Sequence, residues 1–594
     1  MAPSASRRFR QTMSEHELQP FALVTSGVDL PAAPRIWGTG GWQHTSRREA
    51  LDWLTLSALL GWQNTVIRVD DGNPPPQGAH TIRWLVVGCD PAALSGRIVD
   101  WIARQAMNQP LLVVTRAGSP GSPVAAFTGA ALDPAVITGQ ALVWSGPGSE
   151  RRWSARRLCQ SHRLLATSDS ETWTTLDGTP CVLARRVGPS LAVTLGFHPS
   201  DIRDRDPVGS ALIKTLLVFG APSPVAWLDL QDALVLRMDD AGGAQNVHSR
   251  SWQYAKLQAK DWCEVAGDLK RLDGRVSVGY SAGWVDDGDA SRGRLTVAGQ
   301  DVPREPGRVH PSSLVVYEDR AGHSPGCLSD YRSEFRGIQA LRQTGRGDVE
   351  VHGFTHMHPD GKAWACAADR FENIAWFREF GEKAQGAIAL RSAAQHPLVE
   401  ALGSLRDQFG VIPTTLICPG DQWTDETLEC ALDLNLQLVS SYYLAIRRDS
   451  RFCWCQHVCA PYLDTPDCEW FAAELPVVGY FHVRDLAVEG IAWMRRCLER
   501  WKAAGARRLI DFRELAGALS RTVLMEETDS GSMISVSEGG ATPLVRALPI
   551  LFTCDHRCPQ QITVETGAGR RSYSVEEVAD GIGRVSLAVP LTHA

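Results

Sequence analysis

The stretch Asp348–Trp364, "DVEVHGFTHMHPDGKAW", places three histidines, His352, His356 and His358, within seven residues. "DVEV" alternates acidic and apolar residues with the period of a strand, so His352 stands at a strand's carboxyl end. Gly353 allows a turn that carries His356 back beside it. Two imidazoles four residues apart reach one ion whether or not that turn is helical. The third ligand is expected to be an oxygen from another strand end. "DALVLRMDDAGGAQ" offers it, because an apolar strand, Ala233 to Met238, delivers Asp239 and Asp240 side by side. One carboxylate completes a metal shell and the other remains free as a base. His358, just before Pro359, reads either as lining the site or as a surface histidine, the second being favoured.

Working outward, "GRVSVGY", "SSLVVYE", "TTLICPG", "LQLVSSYY", "LPVVGYFH" and "RRLIDF" read as further strands. They interleave with the helix-period segments "YRSEFRGIQALRQTG", "QHPLVEALGSLRDQFG", "TDETLECALDLN" and "EGIAWMRRCLERWKAAG". Repeated strand and helix predict a β/α barrel, complete or incomplete, over residues 226–520. Residues 21–225 also alternate apolar runs such as "TIRWLVVGCD", "QPLLVVTRAG", "QALVWSG" and "SLAVTLGFHPS" with helix-period segments. A doubly wound α/β domain with a parallel sheet is expected there, closed by a helix over "DPVGSALIKTLLVFG" and followed by "APSPVAW" as a linker. Residues 521–594 turn to short alternating runs divided by Gly, Asp and Pro, which predicts a small β-sandwich accessory domain. Residues 1–20 read as a flexible tail.

Composition narrows the function. A net charge of −7 argues against a protein whose main partner is nucleic acid. Charges or turn residues interrupt every hydrophobic stretch before the roughly 18 to 20 residues of a membrane span. The amino-terminal basic cluster is not followed by an apolar run of signal-peptide length, so cytoplasmic placement is expected. Fifteen cysteines in such a chain read as reduced, packed thiols. "RFCWCQHVC" sets Cys453, Cys455, His457 and Cys459 at alternate positions. On a strand these spread over about 20 Å, too far to surround one ion, so core packing is expected. Cys89 follows a strand without a Gly-x-Cys-x-Gly elbow and reads as a structural thiol.

The strings "RMDDAGG", "HGFTH", "ICPGDQW" and "GYFHVRD" resemble, in this order, the motifs of the metal-dependent polysaccharide deacetylases, the carbohydrate esterase superfamily with nodulation-type deacetylase domains. The resemblance covers about half the chain and looks like a divergent branch with large insertions. It implies Asp239 as base, Asp240, His352 and His356 as ligands of one divalent metal, zinc by family pattern, and His482 as general acid. Asp421, Trp423, Tyr480, Arg484 and Asp485, from the last two strings, are the candidates for holding substrate. Where the family carries an arginine that orients the base, this sequence reads Cys418, so another group must orient Asp239. "TPDCEW", with Asp467, Glu469 and Trp470, is set beside the family's acidic-tryptophan element. Residues 21–225 resemble amidotransferase-like domains without their catalytic set. The function implied is hydrolysis of the N-acetyl group of an amino sugar or glycoconjugate. The alternatives are an inactive sugar-binding protein on the same fold and a metal-dependent amide hydrolase with a non-sugar substrate.

Overall fold

The computed structural model describes residues 21–26, 46–70, 72–75, 82–167, 169–199, 202, 206–321, 326–380, 396–448, 451–528, 531–538, 542–554 and 557–588. The expected tail, residues 1–20, lies outside them. No described helix is long and apolar enough to cross a membrane.

The first sheet begins as expected. Strands β1 (Phe21–Thr25), β2 (Asn64–Arg68), β3 (Trp84–Val87), β4 (Leu112–Arg116) and β9 (Ser190–Leu195) run parallel in the order β2-β1-β3-β4-β9. Helices Ser46–Leu59 and Gly96–Asn108 supply crossovers. The second buries Ile98, Val99, Trp101, Ile102 and Ala106 along one face, and Ser95 caps its first turn. Beyond β9 the expectation fails. β8 (Thr179–Val187), β7 (Ser170–Leu176), β5 (Ala130–Trp144) and β6 (Arg151–Ala166) extend the sheet antiparallel. "QALVWSG" is the end of the 15-residue β5, and a short turn at Gly146 and Gly148 leads directly into β6. Hairpins need no crossover helix, and much of β6 faces water, as one side of an antiparallel sheet can.

The presumed linker is also structural. Its end forms β10 (Ala226–Leu228), buried and paired with β22 (Leu548–Thr553) of the last unit. That unit has two four-stranded sheets. One has the order β20-β21-β23-β24 (Arg521–Thr528, Gly531–Glu538, Gln561–Thr566, Gly569–Ser574); the other has β10-β22-β26-β25, with β26 at Ile582–Leu587 and β25 at Glu576–Ala579. Trp62, Trp84 and Trp227 share one apolar cluster with Val523, Ile534, Leu551 and Phe552, so the terminal units have a common core.

The central sheet carries the motifs. β11 (Ala233–Ala241) is buried throughout and runs parallel to β12 (Val276–Tyr280), followed in order by β13 (Gly347–Val351), β14 (Thr415–Ile417) and β15 (Leu438–Ser440). β16 (Tyr443–Arg448) and β17 (Arg451–Cys459) then turn antiparallel. On the other side of β11 lies β18 (Val477–His482), in parallel register with Asp239 opposite His482. β19 (Arg508–Ile510) pairs the start of β11. Among the described residues no ladder joins β17 to β18, and the barrel stays open. The segment after β17 meets β18 through a single bridge, Tyr462–Tyr480. "SSLVVYE" is not a strand of this sheet; Val315–Asp319 belongs to a separate antiparallel four-stranded sheet inserted between β12 and β13. That insertion accounts for the long separation of Asp240 from His352.

Candidate metal centre

The residues of "RMDD" are set by strand geometry and one irregularity. Alternation along β11 puts Arg237 and Asp239 on the same face. It would send Asp240 to the opposite one. The ladder to β12 instead shifts register between Met238 and Ala241, and Asp240 adopts φ 73°, a left-handed conformation that Asp tolerates better than most residues. This bulge lets adjacent carboxylates serve one site. Gly242 follows with φ 76°, where a Cβ would lie 2.4 Å from the Ser281 carbonyl. Its N–H donates to Glu334 (2.9 Å), which pairs with Lys256 (3.1 Å) in a fully buried contact.

The histidine loop is built around a buried acid. Glu379 accepts the backbone N–H groups of Phe354 (2.8 Å), Thr355 (3.1 Å) and His356 (3.1 Å). Burial nevertheless pushes its carboxyl up to about 7. Gly353 has φ 67° and sits so close that a Cβ would come within 2.0 Å of Glu379 Oε2. His356, at φ 61°, returns toward His352, with ring centroids 4.9 Å apart.

Asp240, His352 and His356 converge. Asp240 Oδ1 lies 3.2 Å from His352 Nε2 and 3.3 Å from His356 Nε2, and one ligand atom from each of the three falls within 4.8 Å of the others. Adjacent ligands on an ion with bonds of about 2.1 Å are separated by roughly 3.0 to 3.4 Å, and both carboxylate–imidazole separations match neighbouring ligands of one divalent cation. His352 Nδ1 lies 3.0 Å from the Ile417 carbonyl, which holds the tautomer whose Nε2 is free to ligate. The distal oxygen Asp240 Oδ2 accepts the Trp252 indole N–H at 2.7 Å. The imidazoles hold the Asp240 carboxyl well below its ordinary range despite burial, which by itself would raise it.

Asp239, next to Asp240, and His482 face each other as register partners on neighbouring strands. Arg237 grips both oxygens of Asp239, Nε at 2.9 Å and Nη2 at 2.5 Å, and also reaches Asp421 (3.0 Å) and the Ser441 carbonyl (2.9 Å). Arg237 is thus the orienting group that "CPGDQW" lacks. Cys418 is a buried core thiol. His482 caps the Val483–Glu489 helix, and its N–H donates to Asp485 (2.7 Å). Its ring Nδ1 lies 3.5 Å from Asp485 Oδ2 and 3.4 Å from the Tyr462 hydroxyl, which itself donates to Asp485. Burial alone would lower the imidazole's pKa. Asp485, Asp240 and Asp239 together outweigh it and raise it above the ordinary value.

The other sequence candidates divide. Asp421, in a left-handed conformation, is taken up by Arg237, and Tyr480 lies under the same guanidinium at 5.4 Å. Arg484 stacks on Trp252 (5.1 Å), which meets His482 edge-on at 4.9 Å. Trp423 stacks on Trp454 at 4.4 Å, a packing contact. His358 is half-buried against Trp376 and its Nδ1 accepts the Asp360 N–H, so it braces the loop. Asp467 and Glu469 pair with Arg156 at the surface of the first sheet. Cys453 and Cys455 are core residues of β17; the His457 and Cys459 side chains lie outside the described ones. Cys89 is buried, and burial raises its thiol, which suits a structural role. Sequence reasoning missed Arg237, Trp252, Glu379 and Tyr462. Only Arg237 had a signal, its two-residue spacing from Asp239 on a strand.

No family model and no curated protein matches the chain. Among solved structures the chain is similar to Agd3, a carbohydrate deacetylase, at 10% identity over 97% of each chain and a TM-score of 0.42. It is similar to a CE4 family pseudoenzyme from Bacillus anthracis at 9% identity, over 48% of this chain and 66% of that one, with a TM-score of 0.24. An exo-β-1,4-mannosidase from Opitutaceae bacterium strain TAV5 is similar at 11% identity over 33% of each chain, with a TM-score of 0.23.

Proposed function

We propose that the chain is a metal-dependent hydrolase that removes the N-acetyl group from an amino sugar or a glycoconjugate bearing one. The observation that carries the hydrolase half is the register pairing of Asp239 with His482, next to an Asp240–His352–His356 cluster whose carboxylate follows Asp239 in the same strand. The motif resemblance supports the sugar half. Asp240, His352 and His356 would hold the ion, and two imidazoles with one carboxylate suit zinc. A bound divalent cation supplies polarisation of the amide carbonyl and a water of lowered pKa.

The chain's own groups do the rest. Each Asp239 oxygen keeps a second lone pair beside the one that Arg237 occupies, so Asp239 can accept a proton from water while fixed in direction. His482, whose pKa the acids around it raise despite burial, would in its protonated form donate to the departing amine nitrogen. Asp485 and Tyr462 aim that ring. The half-buried Trp252 closes one side, touching both the Asp240 carboxylate and the His482 ring. A non-catalytic sugar-binding protein would be favoured if nothing oriented Asp239, and Arg237 does so.

The test is acetate release from N-acetylglucosamine oligomers and from the free amino sugar, with the enzyme chelated and then re-supplied with zinc. Release that stops on chelation and returns with zinc supports the proposal. No release from any N-acetylated sugar, in protein with one ion bound per chain, contradicts it. Release only from non-sugar amides would keep the chemistry and discard the substrate.

Two expectations follow from the contacts. Trp252→Phe keeps an aromatic ring and loses the indole N–H, so metal affinity should fall about 10- to 100-fold, the usual cost of losing a group that orients a metal ligand. Competition with a chromogenic chelator measures it, and unchanged affinity would show that the Trp252 bond is incidental. The second concerns pH. His482 must be protonated to act, and its pKa is raised above the ordinary 6.5. Activity should therefore persist above that pH and be lost as pH rises through the elevated value. Asp485→Asn removes one raising influence and should move this alkaline limb to lower pH. A limb that stays put would assign the acid elsewhere.

A further inference from the structure

The amino-terminal unit holds a second polar site that the proposed hydrolysis does not use. A cavity of about 500 Å³ opens beyond the carboxyl ends of β3, β4 and β9, with the antiparallel strands β5 and β6 as its far wall. Crevices outside the carboxyl ends of parallel strands are where open α/β sheets hold ligands, and this volume lies within the range of small-molecule sites.

Its most distinctive group is Arg116, at the end of β4. Arg116 Nε donates to Glu49 Oε2 at 3.0 Å, and the same oxygen lies 3.3 Å from His198 Nε2. Glu49 is almost fully buried, so this contact fixes the guanidinium from behind. The two Nη groups of Arg116 have no partner among the described residues, and the side chain is 25% exposed in a residue that lines the cavity. A guanidinium held at Nε and open at its Nη edge presents the parallel N–H pair that matches a carboxylate. His162 lines the β6 wall beside Gln160 and Ser161. Asp90, after β3, uses Oδ1 to cap Ala92 and is otherwise exposed to accept from a ligand. Leu132, Val136 and Phe197 complete an apolar lining between these polar groups.

We propose that this cavity binds a small carboxylate-bearing molecule with a hydroxylated body, about the size of one sugar acid. Its carboxylate pairs with the Nη edge of Arg116 and its hydroxyls meet Asp90 and His162. The proposal does not depend on the metal centre.

Calorimetric titration of the full chain with glucuronate, glucose and inorganic phosphate tests it. Glucuronate should bind once per chain with a Kd of about 1 mM or tighter. Glucose, which lacks the carboxylate, should bind at least tenfold more weakly. The double variant R116M/E49Q removes both charges together and should weaken glucuronate at least tenfold while metal content and acetate release stay unchanged. His162→Ala leaves the ion pair intact and should weaken glucuronate severalfold, which keeps the test decisive if the double variant does not fold. The proposal is overturned if glucuronate does not bind at about ten times that concentration, if glucose binds equally, if phosphate alone binds, or if neither variant alters the affinity.

Discussion

Asp239→Asn is expected to keep its bound ion and its fold and to lose acetate-releasing activity by about a hundredfold or more, the scale of a positioned base. The amide keeps the volume and one hydrogen-bond acceptor toward Arg237 but cannot take a proton from water. His482→Ala should lose a similar factor with the metal retained. The two groups sit opposite each other in the β11–β18 ladder, and neither is placed as a ligand. Comparing kcat with metal content in each variant separates the roles. If Asp239→Asn loses the ion, the two carboxylates have been assigned the wrong way round.

The second large effect belongs to Arg237. It is 1% exposed and offsets two carboxylates, Asp239 and Asp421, within the sheet. Arg237→Met would strand both acids without a counter-ion, and removing one partner from such a buried pair costs about 3 to 5 kcal/mol. A fall in stability of that size should show in urea denaturation, together with activity loss of at least about a hundredfold. Arg237→Lys distinguishes charge from direction. Lysine restores a cation but not the two-pronged grip on Asp239, so stability should largely return while activity remains depressed. Full activity in Arg237→Lys would mean that Asp239 needs only a nearby charge.

How far the sequence foretold this site depended on how local each determinant is. His352 and His356 were legible because a strand end, a glycine and a spacing of four suffice to bring two imidazoles together. Asp240 was legible as a donor, but the bulge that turns it toward them is a property of the β11–β12 register. Arg237 is readable from alternation alone, although the motif resemblance points to the Cys418 position for an orienting arginine. Trp252 and Glu379 reach the cluster through loops whose course depends on left-handed residues and on packing across the chain, and no spacing announces them. The first sheet departs from the expected parallel one for a related reason. An apolar run such as "QALVWSG" has the same composition in a parallel or an antiparallel strand; the absence of a helix between β5 and β9 was the available sign. "APSPVAW" looked like a linker because its prolines are local, whereas its pairing with Leu551 and Phe552 joins positions more than 300 residues apart.

The central claim is that Asp240, His352 and His356 hold one ion that the chemistry needs. Metal analysis of the purified protein and of Asp240→Ala, His352→Ala and His356→Ala, each dialysed against the same zinc buffer, tests it most directly. The parent chain should carry about one divalent ion, and each variant should lose most of it along with acetate release. Full occupancy in the histidine variants, or a parent chain that binds no ion after zinc addition, would contradict the assignment.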